Sequence, residues 1–310
     1  MAMKRILPYL LILFIFGASA VSGLLSGLVN NLTDLSFRLA PRQASGNIVI
    51  VAIDRGSLDR LGPWPWPRRH HASVLDRLQA AGAHRIAFDI DFSRRTNATD
   101  DQALADAIGR VSDGRAANGV ILPVFRQGSA ASTGNLRPVL TSPYAPFTLG
   151  ARLGTVNVKL EADGRARRYM SGDDRNGSIL PSLASLLASD QTPRAGSFFL
   201  DYAIQPDSVP RISYIDILNG AFHPEAIKGK TVIIGATATE LGDQLAVPLH
   251  GLLSGPVVHA LAVESLLQGR SIYGKTFVFI VIGAFLLAFS AGRLLSKFTE
   301  RAEPRQPCRA

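Results

Sequence analysis

Cysteine is almost absent from this sequence, since the only one among 310 residues is Cys308, near the C-terminal end. A disulfide bond within the chain is therefore excluded, and any domain it forms must be held together by packing. Low-complexity tracts are also missing, and 47% of the residues are hydrophobic. This composition argues against a disordered chain and predicts a folded core.

Dense runs of lysine and arginine with interleaved aromatic residues are missing as well, although the formal net charge is +9. Much of the positive excess lies near the two ends, in residues 4–5 and 293–309. Nucleic acid is therefore not an expected partner.

Two motifs typical of hydrolytic enzymes are also absent: the G-x-S-x-G nucleophile elbow and the H-E-x-x-H zinc motif. Asp89 and Asp91 could act as a pair of acid–base carboxylates, but nothing in the sequence places a substrate between them. The sequence thus predicts a protein that is not an enzyme and has neither a cofactor nor a metal centre. A membrane-anchored hydrolase is the third alternative.

Two charge-free apolar segments, residues 6–29 and 276–292, bracket the rest of the chain. A bilayer core about 30 Å thick needs roughly 17 to 25 mostly apolar helical residues, which both segments supply. Basic residues near membrane ends stay on the cytoplasmic side, so residues 4–5 and 293–309 predict that both termini lie inside. The lipid bilayer is therefore an expected partner, and residues between the segments are expected outside the cytoplasm.

This topology gives a complete predicted layout for the chain. It consists of a cytoplasmic N-terminus at residues 1–5, a transmembrane helix at 6–29, an extracytoplasmic domain at 30–273, a second transmembrane helix at 275–295, and a short cytoplasmic tail at 296–310. The expected location is the inner (plasma) membrane, with the main domain in the periplasm or outside the cell. Ala18, Ser19 and Ala20 also fit a signal-peptidase site, so cleavage of the first segment stays open as an alternative.

The tail at residues 296–310 is too short to form a domain, so a signalling effector is expected to be a separate cytoplasmic partner. Small residues at Gly17, Ala20 and Gly23 in the first apolar segment favour a homodimer. Residues 268–275 form only a short connection between the last predicted helix and the second apolar segment. A movement of that helix would therefore reach the membrane without being absorbed by a slack linker.

Between the apolar segments, short β-branched runs alternate with amphipathic stretches, which is typical of an α/β fold with a mainly parallel sheet. Strands are predicted at residues 47–53, 85–92, 120–125, 198–203 and 230–235, and helices at 68–81, from Thr99 onwards, at 181–188, at 214–218 and at 255–267. Residues 161–164 predict a hairpin turn and thus an antiparallel excursion from the main sheet. We expect a single extracytoplasmic domain of this kind.

The predicted strand at residues 85–92 alternates, so that Ile86 and Phe88 face one way while Asp89 and Asp91 face the other. The helix that follows is predicted to begin with a capping box, in which Thr99 is the cap and Gln102 completes the motif. Two carboxylates should therefore share one face near the end of this strand.

Polar residues collect where the predicted parallel strands end, which is the edge at which open α/β sheets bind ligands. The candidate ligand-binding residues are Asp54, Arg68, Asp89, Asp91, Thr237 and Asp243, and Trp64 and Trp66 are candidates for an aromatic wall. Arg68 would supply the counter-charge. Such a pocket would bind a polar small molecule or, through its carboxylates, a hard cation such as calcium or magnesium.

The structural alternative stays open for each of these residues. An aspartate at a strand end often caps the next helix or pairs with an arginine, and Trp64 and Trp66 could simply pack a rigid proline-rich loop. The adjacent His70 and His71 are expected on a helix surface, because neighbouring residues do not share one helix face. His259, in an apolar helix, is expected to be a hydrogen-bonded core histidine.

Taken in order, these motifs resemble the type 2 CHASE domain, an extracytoplasmic sensory module of bacterial cyclases and kinases. The resemblance covers nearly the whole segment between the apolar runs and rests on residues 52–54 (AID), 62–68 (GPWPWPR), 87–92 (AFDIDF), 163–164 (DG) with Arg168, 232–237 (VIIGAT), Asp243, Pro248, Gly255 and residues 259–260 (HA). It implies a receptor that follows an N-terminal anchor and controls a cytoplasmic cyclase, diguanylate cyclase or kinase. Family members commonly carry further membrane helices and then the effector, and this chain departs from that pattern.

The expected function is therefore a membrane-anchored sensor that binds an unidentified extracytoplasmic small molecule or ion. Its last helix would pass a movement across the membrane to an output outside this chain. The alternative is a truncated receptor that acts as a dimerising or scaffold protein without a ligand of its own.

Overall fold

The computed structural model describes residues 24–112, 119–128, 138–175, 177–188 and 194–273, together with residues 283, 289, 290 and 293. The chain divides into two compact units, one formed by Met1–Ser36 with Tyr273–Ala310 and the other by Phe37–Ile272. No helix within the described residues is both long and apolar enough to span a bilayer. The two apolar segments predicted to do so lie mostly outside the described residues.

The main sheet has seven strands, of which six run parallel. The strands are β1 (Ile48–Ile53), β2 (Arg85–Asp89), β3 (Val120–Gly128), β4 (Pro138–Thr141), β5 (Ala151–Thr155), β10 (Arg211–Ser213) and β11 (Thr231–Ala236). Their order is β10-β1-β11-β2-β3-β4, and β5 also pairs with β3. Only β4 is antiparallel to its neighbour. The predicted mainly parallel sheet is confirmed.

Two smaller sheets add antiparallel structure. One contains β6 (Val158–Lys159), β7 (Arg168–Arg175), β8 (Ser178–Pro181), β9 (Gly196–Phe199) and β14 (Ile272–Tyr273), and the other is a hairpin of β12 (Gln244–Val247) and β13 (Gly251–Ser254). The predicted turn at residues 161–164 does join antiparallel strands, β6 and β7. The excursion is larger than the single hairpin that the sequence predicts.

The described residues contain eight α-helices and three 3-10 helices. The α-helices are α1 (Leu24–Leu39), α2 (Arg55–Leu61), α3 (Arg68–Ala80), α4 (Ala98–Ser112), α5 (Ala145–Thr148), α6 (Leu183–Ala188), α7 (Tyr214–Asn219) and α8 (Gly255–Leu267), and the 3-10 helices are Pro206–Ser208, Pro224–Ala226 and Thr239–Leu241. Helices α3 and α8 lie within one residue of their predicted bounds. Helix α2 is not predicted, and Asn97, not Thr99, caps α4 by accepting the amides of Thr99 and Asp100 at 2.9 and 3.2 Å.

The main sheet separates two hydrophobic cores. Ile86 and Phe88 of β2 point into the core that contains α3 and α4, whereas Ala87 points into the core that contains α6 and α8, so the predicted alternation is confirmed. Every residue of α8 from Gly255 to Ser265 is buried. A helix that is apolar all round must be enclosed on all sides. Helix α8 is therefore an internal element, and a shift of it requires its neighbours to repack.

Candidate functional site

A cavity of about 700 Å³ lies beyond the carboxyl ends of the parallel strands. Its lining includes Ile53 at the end of β1, Asp89 at the end of β2, Phe125 of β3 and Ala236 at the end of β11. In open α/β sheets the strand order leaves a crevice at this edge, where ligands bind. The volume falls within the range of about 300 to 1,000 Å³ typical of small-molecule sites.

The proline-rich loop that precedes α3 forms an aromatic wall of this cavity. Trp64 and Trp66 both line it, and their rings meet edge to face with centroids 5.1 Å apart. Trp66 is buried and donates its indole N–H to the carbonyl of Gly62 at 2.9 Å, while Trp64 is half-buried. Since the sequence contains two tryptophans, all of its tryptophan fluorescence originates at this wall.

His71 completes the aromatic wall from within α3. Its side chain is buried and lies 5.8 Å from the Trp64 ring, so the expectation of a surface position is wrong for this residue. Nδ1 of His71 is 2.8 Å from the hydroxyl of Tyr214. Burial, with the positive charges of its neighbours, lowers the pKa of His71 to about 3. The imidazole is therefore neutral at physiological pH and acts as a packing and hydrogen-bonding group.

The floor of the cavity is acidic and is shared with α8. Asp89 Oδ2 lies 3.2 Å from Nε2 of His259, and Nδ1 of His259 is 2.7 Å from the hydroxyl of Tyr169. Burial raises the pKa of Tyr169 well above 10, with a further contribution from the charge of Asp89, so the phenol stays protonated. His259 is thus a hydrogen-bonded core histidine, as predicted, and it also connects β2 to α8.

Asp243 is the second carboxylate of the cavity floor. Burial raises its pKa to about 6, and the charge of Asp89 acts in the same direction. Burial also acts to lower the pKa of His259, but the charge and hydrogen bond of Asp89, together with the charge of Asp243, outweigh it and leave that pKa raised. Two carboxylates therefore compete for one imidazole, and each of the three groups changes the charge state of the others.

Two glycines let α8 approach this floor closely. A Cβ atom on Gly255 would lie 2.4 Å from Oδ2 of Asp243, and one on Gly235 would lie 2.5 Å from Cγ of Pro256. The backbone N–H of Gly255 also donates to the carbonyl of Asp243 at 3.2 Å. The first turn of α8 is therefore in direct contact with both the end of β11 and the Asp243 carboxylate.

Arg68 lines the cavity, but its charge is already balanced. The side chain is buried and donates from Nη1 to Oδ1 of Asp101 at 2.8 Å, and Nη2 donates to the backbone carbonyl of Arg94. The guanidinium also lies over the ring of Phe147, 4.9 Å from its centroid. This favours the structural alternative for Arg68, in which it fixes the loop after β2 beside α3 and α4.

The other predicted site residues are engaged in local backbone interactions. Asp54 caps α2, because its Oδ1 accepts from the amide and the hydroxyl of Ser57 at 2.8 and 2.7 Å. Asp91 lines the cavity with an exposed side chain and accepts the amide of Ser93 at 2.8 Å. The amide of Thr237 donates to the carbonyl of Ile53 at 3.0 Å. The structure thus gathers Arg68, Asp89, Asp91 and Asp243 at one cavity, whereas Asp54 and Thr237 are not among its lining residues.

Two further features of the chain concern metal binding and phosphate binding. No group of three histidine, cysteine, aspartate or glutamate side chains in the described part of the chain is placed to hold a metal ion. Residues 269–276 fit the pattern G-x-x-x-x-G-K-T of phosphate-binding loops, so the expectation that the sequence lacks such a motif is wrong. That motif works between a strand and the N-terminus of a helix. Here it begins just after α8 and includes β14, so the described residues lack the strand that should precede it.

The titratable groups of the floor make the stability of the protein depend on pH. The folded-state pKa values of Asp243 and His259 are both raised, so their stabilising contributions are complete below the unfolded values and are lost as pH rises through the folded ones. The lowered pKa of His71 acts in the opposite direction over this range, because the unfolded chain binds a proton that the folded imidazole does not. The contribution of Asp243 and His259 to the free energy of unfolding should itself fall by about 1 to 3 kcal/mol between pH 5 and 8, since one pKa unit corresponds to about 1.4 kcal/mol. Urea unfolding of the full chain in detergent, followed by tryptophan emission at each pH, measures this decline.

Asp243→Asn provides the matched test of this pH dependence. The amide keeps the shape of the carboxylate but does not titrate, and it removes one of the charges that raise the pKa of His259. Relative to Asp243→Asn, the wild type should therefore lose at least about 1 kcal/mol of stability between pH 5 and 8, while the contribution of His71 is common to both proteins and cancels. Parallel pH profiles of the two proteins would assign the pH dependence to other groups.

The fold and the cavity define a class: an α/β domain of the open-sheet type, with a cavity of about 700 Å³ at the carboxyl edge of its parallel strands. The family model for the CHASE2 domain matches residues 10–291, and the chain belongs to this family. This match confirms the resemblance found in the sequence. CHASE2 domains are extracytoplasmic sensory modules and are not catalytic. No curated protein and no solved structure gave a match to the chain.

Proposed function

We propose that this chain is a membrane-anchored sensor whose cavity, bounded by Trp64, Asp89 and Asp243, binds a small polar molecule outside the cytoplasm. The sensory role of the CHASE2 family supports the general class. The observation that carries the specific proposal is the sharing of the cavity floor with α8, through His259 on Asp89 and Gly255 against Asp243.

The cavity offers a direct route from ligand binding to a movement of α8. A ligand that contacts Asp243 changes the charge of a carboxylate that touches the first turn of α8. It also changes the balance of charge between Asp89 and His259. A ligand shifts a conformational equilibrium only by its differential affinity for the two states. The contact between Asp243 and Gly255 would provide this difference in affinity. When the Asp243 carboxylate turns toward a ligand, it moves away from Gly255 in the first turn of α8.

The C-terminal end of α8 is hydrogen-bonded to the segment that precedes β1. Glu264 is fully buried and accepts from the amide and the hydroxyl of Ser45 at 3.0 and 2.8 Å. Just beyond α8, Arg270 pairs with the buried Asp201 at 3.0 Å. Movement of α8 would therefore act on both ends of the Phe37–Ile272 unit. Residues 268–275 then lead to the second apolar segment, through which the signal would pass to a cyclase, diguanylate cyclase or kinase.

A screen by intrinsic fluorescence tests the sensor proposal. The full chain in detergent micelles is titrated with amines, organic acids, sugars, nucleotides and divalent cations while tryptophan emission and thermal unfolding are recorded. At least one class should give a saturable emission change and raise the midpoint of unfolding, because a ligand at 100 times its Kd adds about 2.7 kcal/mol. Asp243→Asn should weaken that response at least tenfold.

Asp207→Asn is the control for this screen. Asp207 is a fully exposed aspartate within the Pro206–Ser208 3-10 helix, and this change should leave the response intact. A protein that unfolds cooperatively but responds to none of these classes contradicts a ligand-binding sensor and favours the ligand-free scaffold. A response equally weakened in both variants contradicts the assignment of the site to this cavity.

A further inference from the structure

The cavity combines an excess of negative charge at its floor with an aromatic wall. Asp89 and Asp243 face a single imidazole, that of His259, so even its protonated form balances only one of the two carboxylates. The two arginine–aspartate pairs beside the cavity do not change this balance, because each is neutral by itself: Arg68 with Asp101 at 2.8 Å, and Arg69 with Asp100 at 3.1 Å. Two further lining residues, Asp91 and Arg94, are exposed to solvent and carry one charge of each sign, so they also leave the balance unchanged.

The wall offers aromatic surface to the same enclosed space. Trp64 is half-buried between Trp66 and His71, and all three rings line the cavity. His71 is neutral, so it does not repel a positive group. Tryptophan is the side chain that attracts a cation most strongly over its face, with a gain of about 0.5 to 2 kcal/mol in protein sites.

We propose that this cavity binds an organic cation, a substituted ammonium group whose charge is balanced at Asp243 and whose methyl or methylene groups pack on Trp64. The inference rests on the proposed sensor function and names the chemical class of its ligand. A cavity that combines a carboxylate with an aromatic surface favours such a group over a hydrated metal ion, because the ammonium carries its own apolar surface.

The same contact explains why the cation would act on α8. An ammonium group beside Asp243 holds that side chain ionised and draws it toward the cavity. Its carboxylate oxygens would lie 2.4 and 2.7 Å from a Cβ atom on Gly255, so any such movement changes the packing at the first turn of α8. Binding at the wall and movement of α8 are thus linked through one side chain.

A pair of isosteric probes tests the class of ligand directly. Choline and 3,3-dimethylbutan-1-ol have the same shape, but only choline is charged. The full chain in detergent micelles is titrated with each at constant ionic strength and chloride, up to about 10 mM, where a site with a Kd near 1 mM is mostly filled. We expect a saturable change in tryptophan emission with choline and at least a tenfold weaker response to the alcohol.

Two variants test whether Asp243 provides the negative charge that binds choline. Asp243→Asn should bind choline no better than the neutral alcohol, while Asp207→Asn should bind choline as the wild type does. The urea transition of Asp243→Asn, followed by the same two tryptophans, establishes that this variant is folded.

Each remaining outcome overturns the proposal. Equal responses to choline and the alcohol, or choline binding that is unchanged in Asp243→Asn, would show that charge recognition at Asp243 is absent. A response to an acid, a sugar or a nucleotide but not to choline would overturn the organic-cation class and leave the sensor function standing. Silence toward choline and toward every class of the broader screen would overturn both.

Discussion

Asp101→Ala is expected to lower the free energy of unfolding by about 3 to 5 kcal/mol, because it leaves the guanidinium of Arg68 buried without its carboxylate. Both side chains of this pair are only 6% exposed. Asp101 also accepts from the amide and the hydroxyl of Thr96 at 3.0 and 2.7 Å, so the loop before α4 loses its anchor as well. Urea unfolding of the full chain in detergent, monitored by tryptophan emission, measures the loss.

Asp91→Ala is the control for this prediction. Asp91 lies on the same loop, but its side chain is exposed and accepts one local hydrogen bond, from the amide of Ser93. Its removal should cost about 0.5 kcal/mol, as is usual for surface positions. Similar losses in the two variants would show that the Arg68–Asp101 pair does not hold the cavity wall.

His259→Ala is expected to have an effect of similar size, about 3 to 5 kcal/mol, and to change the chemistry of the cavity floor. Without the imidazole, Asp89 is a buried carboxylate beside Asp243 with no positive partner. An isolated buried charge is costly, so one of the two carboxyl groups should take up a proton near neutral pH. The hydroxyl of Tyr169 also loses its partner.

Two readouts separate this effect from a simple cavity in the core. The loss of stability relative to the wild type should shrink as the pH is lowered from 8 to 5, because protonation removes the unpaired charge of the His259→Ala variant. His223→Ala, at an exposed position, should change neither stability nor its pH profile. A pH-independent loss in His259→Ala would mean that His259 contributes packing alone.

The elements with strong periodic patterns could be predicted from the sequence. The alternation of β2 and the apolar run of α8 fix these elements because each pattern fits one secondary structure. Helix α2 is missed, because its seven residues are mostly polar and bury only Ser57. The short strands β8 and β10 are missed as well, since pairing with β7 and β1 stabilises them more than their own sequence does.

The position of Asp89 at the cavity could be predicted from the sequence, but its connections could not. Ends of parallel strands meet at one edge, which is enough to place Asp89 there, whereas Asp243 lies beyond the Thr239–Leu241 3-10 helix and reaches the cavity from a loop. The contacts of His259 with Asp89 and with Tyr169 join three distant parts of the chain, and no local pattern encodes them. For His71 a usable signal existed, because residues 71, 74, 75 and 78 follow the i, i+3, i+4, i+7 spacing of an apolar helix face.

The central claim is that a ligand in the cavity changes the environment of α8. Hydrogen–deuterium exchange of the full chain in lipid nanodiscs tests it most directly, with and without the compound that gives the largest tryptophan response. The account predicts altered exchange in residues 89–92 and 239–243 and in α8, with both changes lost in Asp243→Asn. Altered exchange confined to the cavity loops, with α8 unchanged at saturating compound, would contradict the account.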